Sequence, residues 1–141
     1  MERYRFLQHT ADAKFQAFGS TLEEAFLNAA LAVASVMWDW AKVARKVRFP
    51  VEAQGPDLER LLVNYLEEIL FLLDTKAFIL AVVENIRLEK TGVGWRLTAD
   101  FVGDTDPAQY EIFGEVKAVT YNEMRIEKSA EGATLQVVID L

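Results

Sequence analysis

Two short stretches, far apart in the sequence, carry the side chains best suited to chemistry: His9-Thr10-Ala11-Asp12 and Val137-Val138-Ile139-Asp140-Leu141. Over 134–141, Leu135, Val137, Ile139 and Leu141 alternate as the inward set of a strand. That turns Asp140 to the opposite face, with the oxygens of Leu141 one residue on. If the first stretch adjoins this strand, Asp12, Asp140 and the terminal carboxylate or carbonyl of Leu141 form an all-oxygen cluster suited to Ca²⁺ or Mg²⁺. Neighbouring carboxylates repel one another unless a cation lies between them, which favours metal capture. Spacing alone leaves open whether the two stretches meet, and Asp12 by itself reads as a turn-former that accepts from a nearby amide.

Other chemistries are thinner. His9 is the one histidine, so sites needing two imidazoles are excluded, and a nucleophile triad would have to use it. No serine stands in a nucleophile-elbow context, and His9 alone reads as a packed or hydrogen-bonded turn residue. The absence of cysteine removes disulfides, thiolate zinc sites and cysteine nucleophiles. There is no Walker A pattern, and Gly92-Val93-Gly94 is an isolated turn. Asp104-Thr105-Asp106 opens like a calcium loop and has Glu115 in twelfth place, but Gln109 stands where that loop needs glycine. A polar turn bent by Pro107 is the simpler reading.

A net charge of −7 opposes autonomous binding to a phosphate backbone, so any RNA would be held by a partner. The cationic run Lys42, Arg45, Lys46, Arg48 reads first as the solvated face of a strand whose Val47, Phe49 and Val51 turn inward, and only weakly as a docking surface.

The elements that must position these residues follow from periodicity. With 141 residues, 52% of them hydrophobic, the chain fits a single domain over 1–141. Strands are expected over 3–8 and 13–18. A helix follows Gly19, its capping box formed by Ser20 and Glu23 and its apolar stripe running from Leu22 through Phe26, Ala29, Val33, Val36 and Met37 to Trp40. A strand over 42–53 leads to a second helix capped by Asp57 and reaching about residue 73. Five strands follow, over 78–90, 95–102, 111–120, 124–129 and 134–140, with hairpin breaks at 92–94 and 131–132. Two early helices and a strand-rich second half predict an α+β fold with a mostly antiparallel sheet. The apolar stretch 58–73 is broken by Arg60, Asn64, Glu67 and Glu68, so it is a core helix and not a membrane span. With no signal segment at the start, a cytoplasmic location is expected.

Three motifs together, His9-Thr10-Ala11-Asp12, Gly114-Glu115-Val116-Lys117-Ala118-Val119-Thr120-Tyr121 and Val137-Val138-Ile139-Asp140, make the chain resemble the archease family over essentially its whole length. Asn122 departs from that pattern, where histidine is expected in many relatives. The resemblance implies an α+β sandwich with an inserted segment similar to a redox chaperone domain. It also implies an accessory role: a cofactor of the RtcB-type RNA ligase that promotes its guanylylation and multiple turnover in tRNA splicing and RNA repair, without being a ligase itself. The metal ligands it implies are Asp12, Asp140 and Leu141, with calcium the usual ion. His9 is a supporting residue on this reading, and Lys117 a possible contact to a phosphate or acidic partner, although a solvated strand lysine is the plainer account of Lys117. Two rivals remain. One is a metal-dependent phosphohydrolase using the same carboxylates; the other is a chaperone-like module presenting Trp38, Trp40 or exposed apolar strands.

Overall fold

The computed structural model describes residues 2–8 and 12–141. Its elements run β1 (Tyr4–Leu7), β2 (Ala13–Gly19), α1 (Leu22–Ser35), β3 (Val47–Gly55), α2 (Leu58–Lys76), β4 (Ile79–Thr91), β5 (Gly94–Asp104), β6 (Ala118–Ser129) and β7 (Gly132–Asp140). The fold is α+β, and every strand pairing is antiparallel. One sheet has the order β1-β2-β7-β6 and the other the order β3-β5-β4. The second sheet and α2 come from one continuous run of sequence set between α1 and β6.

The two helices lie between the sheets. On one side α1 meets β2 and β7, on the other β4; α2 meets β3 of the second sheet and β6 of the first. This explains why α1 has so little polar character: Ala25, Phe26 and the run Ala29 to Ala34 are all buried, as a helix enclosed on both flanks requires. The one buried polar residue of α1 is satisfied. Asn28 donates to the Phe18 carbonyl at 2.7 Å and accepts from Arg3 at 2.9 Å. Across the helix layer the Tyr65 hydroxyl donates to the Phe26 carbonyl at 3.0 Å, with the two rings 5.7 Å apart. Burial pushes the Tyr65 phenol far above its ordinary pKa, so it stays a neutral donor. One cluster of buried side chains runs from Phe15 in β2 to Ile139 in β7.

Several boundaries differ from expectation, each for a local reason. Because β2 continues through Gly19, which pairs with Ala133, the helix cap falls one residue later than Ser20. Thr21 accepts from the Glu24 N–H at 3.1 Å, and the Glu24 carboxylate accepts from the Ser20 N–H at 2.6 Å. Helix α1 stops at Ser35, not Trp40; the apolar spacing continues because Met37 and Trp38 fold back into the core from a turn. The strand expected from residue 42 starts at Val47, where β5 first offers a partner in Gly103. The two strands expected over 111–120 and 124–129 are one strand, β6, that starts only at Ala118 and carries a wide irregularity between Thr120 and Arg125.

At the β4–β5 hairpin Gly94 has φ 153°, and a Cβ there would collide with the Gly55 backbone, so glycine alone suits both the turn and the packing. Among the described residues no helix is long and apolar enough to cross a membrane.

Candidate functional site

Asp12 and Asp140 stand at the ends of two strands that pair with each other. Strand β2 pairs with β7 from Gly19↔Ala133 to Ala13↔Ile139. Asp12 immediately precedes Ala13 and Asp140 immediately follows Ile139, the last pair of the ladder, so continuing the register by one step would set Asp12 opposite Asp140. Opposed residues share a face. Phe15, Ala17, Leu135, Val137 and Ile139 fill the inner face, so the exposed Asp140 alternates onto the outer one with Gln136 and the buried Val138, and Lys14 and Gln16 face the same way from β2.

On its other side Asp140 pairs with Ala118, and its carbonyl accepts from the Lys117 N–H at 2.8 Å. Lys117 therefore anchors the strand end through its backbone, while the residue itself is exposed. Leu141, expected to alternate inward, is 41% exposed. Its oxygens thus stand at a wet edge beside Asp140. His9 lies outside the described residues.

One further group reaches this face without any sequence signal. In β6 the register slips between Thr120 and Arg125, and within the slip Glu123 adopts φ 54°. Its carboxylate accepts from the Lys14 ammonium at 3.2 Å, and its carbonyl accepts from Gln136 at 2.9 Å. Gln136 accepts in turn from Gln16 at 3.1 Å. This chain of bonds ties the irregular part of β6 to β2 and β7 in the rows next to Asp12 and Asp140, so the pair sits on a braced platform. A bulge of this kind is a product of pairing register, and nothing in the run Tyr121-Asn122-Glu123-Met124 announces it. Asn122, the departure from the family pattern, lies exposed in the same slip.

Among the described residues, no three His, Cys, Asp or Glu side chains converge as a metal cage. Two carboxylates supplemented by main-chain oxygen and solvent nevertheless suit a hard divalent cation, which takes oxygen ligands and tolerates water in its shell. Few charged ligands and high exposure are the features of a weak, exchangeable site.

The remaining sequence leads resolve into structure. Trp38 is fully buried and donates its indole N–H to the Leu80 carbonyl at 2.9 Å; Trp40 donates to the Tyr4 hydroxyl at 3.0 Å beneath Arg3. Trp38 is therefore a core residue, with no face left to offer a ligand. The cationic run is spent largely on the outer face of the second sheet. There Arg48 bonds Glu84 at 2.6 Å and Asp100 at 3.0 Å, and the Glu84 bond leads in raising its pKa.

Asp104, which opens the calcium-like loop, is 3% exposed and internally bonded. It accepts from the Tyr110 hydroxyl at 2.8 Å and lies 3.9 Å from the Lys46 ammonium, while that same hydroxyl accepts from the Ala44 N–H at 3.0 Å. The Tyr110 bond, opposed by burial and helped by Lys46, holds the Asp104 carboxyl below the usual carboxylate range. Its stabilising contribution is therefore present above the unfolded carboxylate pKa and lost as pH falls through the lower folded value. Asp104→Asn is expected to melt at lower temperature than the native chain at pH 7, with the gap closing as pH falls through the lowered folded value. Melting curves from pH 7 to pH 2 check this, and a gap that is constant with pH would contradict it.

The comparisons with known proteins point one way. Residues 4–141 match the model of the Archease protein family (MTH1598/TM1083). The chain is 41% identical to the protein archease of Methanosarcina barkeri, covering 99% of this chain and 97% of that one. It is 43% identical to the protein archease of Thermococcus gammatolerans, with both chains covered in full. The solution structure of Methanobacterium thermoautotrophicum protein 1598 superposes over the whole of both chains with a TM-score of 0.84 at 34% identity. On fold and sequence together, this chain belongs to the archease family.

Proposed function

We propose that the protein is an accessory factor that activates an RtcB-type RNA ligase, promoting its guanylylation and repeated turnover, and that it acts through a weak divalent-cation site at Asp12, Asp140 and Leu141. The observation that carries this reading is the β2–β7 register, whose last pair, Ala13↔Ile139, leaves Asp12 and the exposed Asp140 at neighbouring strand ends. Family membership and the net charge of −7 support it as well, since an acidic protein is suited to an enzyme whose own surface must be cationic to hold RNA.

On this reading Asp12 and Asp140 hold the cation, calcium or magnesium, with Leu141 supplying main-chain oxygen. The Lys117 backbone fixes the end of β7, and the Glu123–Lys14 contact braces the neighbouring row. A divalent ion so held supplies charge neutralisation at nucleotide phosphates. A weakly held ion can be exchanged with the ligase, which a tightly caged one could not.

The test is RNA ligation by the cognate RtcB-type ligase with substrate in excess. Added protein is expected to convert a single round of joining into many; unchanged turnover would remove the assignment. Calorimetry tests the site separately. Asp140→Asn is expected to weaken Ca²⁺ binding at least about tenfold, because affinity in such sites follows the count of charged ligands. Equal affinities would take Asp140 out of the site.

A further inference from the structure

One groove combines an apolar floor, an acidic rim and an edge shared with the Asp12–Asp140 surface. It lies between α2 and the irregular segment 115–117, encloses about 740 Å³, and is lined by Glu67, Leu70, Phe71, Asp74, Val116 and Lys117 among others. Phe71 is 57% exposed, whereas the other face of α2 is packed with Leu61, Leu62, Leu66 and Ile69. A large aromatic standing in solvent beside Leu70 and Val116 has the composition of an interface anchor. Around it Glu67, Asp74 and Glu115 face a single lining cation, Lys117. Lys117 is also the residue whose N–H binds the Asp140 carbonyl at 2.8 Å, so the groove ends where the carboxylate pair begins.

Resting on the accessory reading above, we propose that this groove docks a cationic segment of the partner ligase, bearing one aromatic or aliphatic anchor and lying next to that enzyme's phosphate-binding centre. The argument is charge complementarity together with position. An enzyme that holds RNA and a nucleoside triphosphate surrounds its phosphates with Lys and Arg, and three carboxylates around an apolar floor are the counterpart of such a segment. Occupation of the groove brings Asp12 and Asp140 against the enzyme surface near those phosphates.

The test measures the dissociation constant of the full-length chain for the ligase by calorimetry at two salt concentrations. Phe71→Ala is expected to weaken binding tenfold or more, as is the double variant Glu67→Lys/Asp74→Lys, the latter with a reduced salt dependence. A charge-matched control, Glu127→Lys/Glu131→Lys, lies near the β6–β7 turn at the far end of β7 from Asp140 and is expected to bind within about twofold of native. All three replace surface residues, and melting curves confirm folding. Native affinity in the Phe71 and Glu67/Asp74 variants overturns the groove while leaving the accessory reading in place. So does equal loss in the control, which would mark general electrostatics. An absence of binding by the native chain overturns both.

Discussion

Replacing Asp12 with alanine is expected to return the ligase to its unassisted turnover while leaving the melting temperature of the metal-free protein within about 2 °C of native. The two halves of this result have separate causes. Asp12 is half-buried just ahead of β2 and is not part of the buried cluster that runs from Phe15 to Ile139, so its loss opens no core cavity. Like charges opposed across an antiparallel pair destabilise, so if the proposed pair forms, removing one of Asp12 and Asp140 relieves that repulsion. The metal-free variant should therefore be at least as stable as the native chain. Calcium is expected to raise the melting temperature of the native protein and leave Asp12→Ala unmoved, because only a ligand that binds the folded state shifts its stability. Ligation assays with excess RNA and melting curves with and without calcium decide the matter together. A folded Asp12→Ala chain that still supports repeated turnover would remove the carboxylate pair from the function.

The largest loss of stability is expected from Phe26→Ala, about 3–5 kcal/mol, which lowers the melting temperature by about 10 °C or more. Phe26 is fully buried in the helix layer, its ring packs 5.7 Å from Tyr65, and Tyr65 packs 5.8 Å from Phe101 of the second sheet. Truncation leaves a void between elements that are held on both flanks and have little freedom to collapse into it. Denaturant unfolding measures the change. Below its melting temperature the variant should still stimulate the ligase, since it leaves Asp12, Asp140 and the groove untouched. A loss under 1 kcal/mol would mean that the layer can close around the gap.

The sequence was legible wherever local chemistry and the final packing agreed. Asp57 caps α2 because its carboxylate accepts from the Arg60 N–H at 2.8 Å, and the apolar face that follows is the one that is buried. Both hairpins fall at their glycines. The segment 111–117 misled because its alternation of Ile112, Gly114 and Val116 with charged residues is that of a strand. Pairing, however, requires a neighbour, and β7 reaches only to Asp140, so Ala118 is the last position with a partner. Ile112 and Phe113 are left in solvent, and the segment becomes one wall of the groove.

The site shows the same division. Asp12 and Asp140 were identifiable as residue types, but the placing of the strand ends beside them depends on a register set by the whole of β2 and β7. Glu123 and Lys14 could not be singled out, because a slip in β6 creates their contact. Phe71 was hidden for the opposite reason: one more apolar residue on an apolar helix, it shows its role only when its exposure is known.

The pairing of Ala13 with Ile139 also bears on the order in which the molecule is made. Strands β3, β4 and β5 with α2 are contiguous in sequence and joined by short connections, so they can assemble while synthesis continues. The other sheet cannot close until β7 has emerged, and until then Phe15, Ala17 and the flank of α1 lack their cover. The event that finally hides this apolar surface is the same one that brings Asp140 up to Asp12. A nascent or truncated chain thus leaves Phe15 and Ala17 uncovered, whereas the folded one buries both. On the proposed reading, use of the Asp12–Asp140 pair is reserved for molecules whose first sheet has closed.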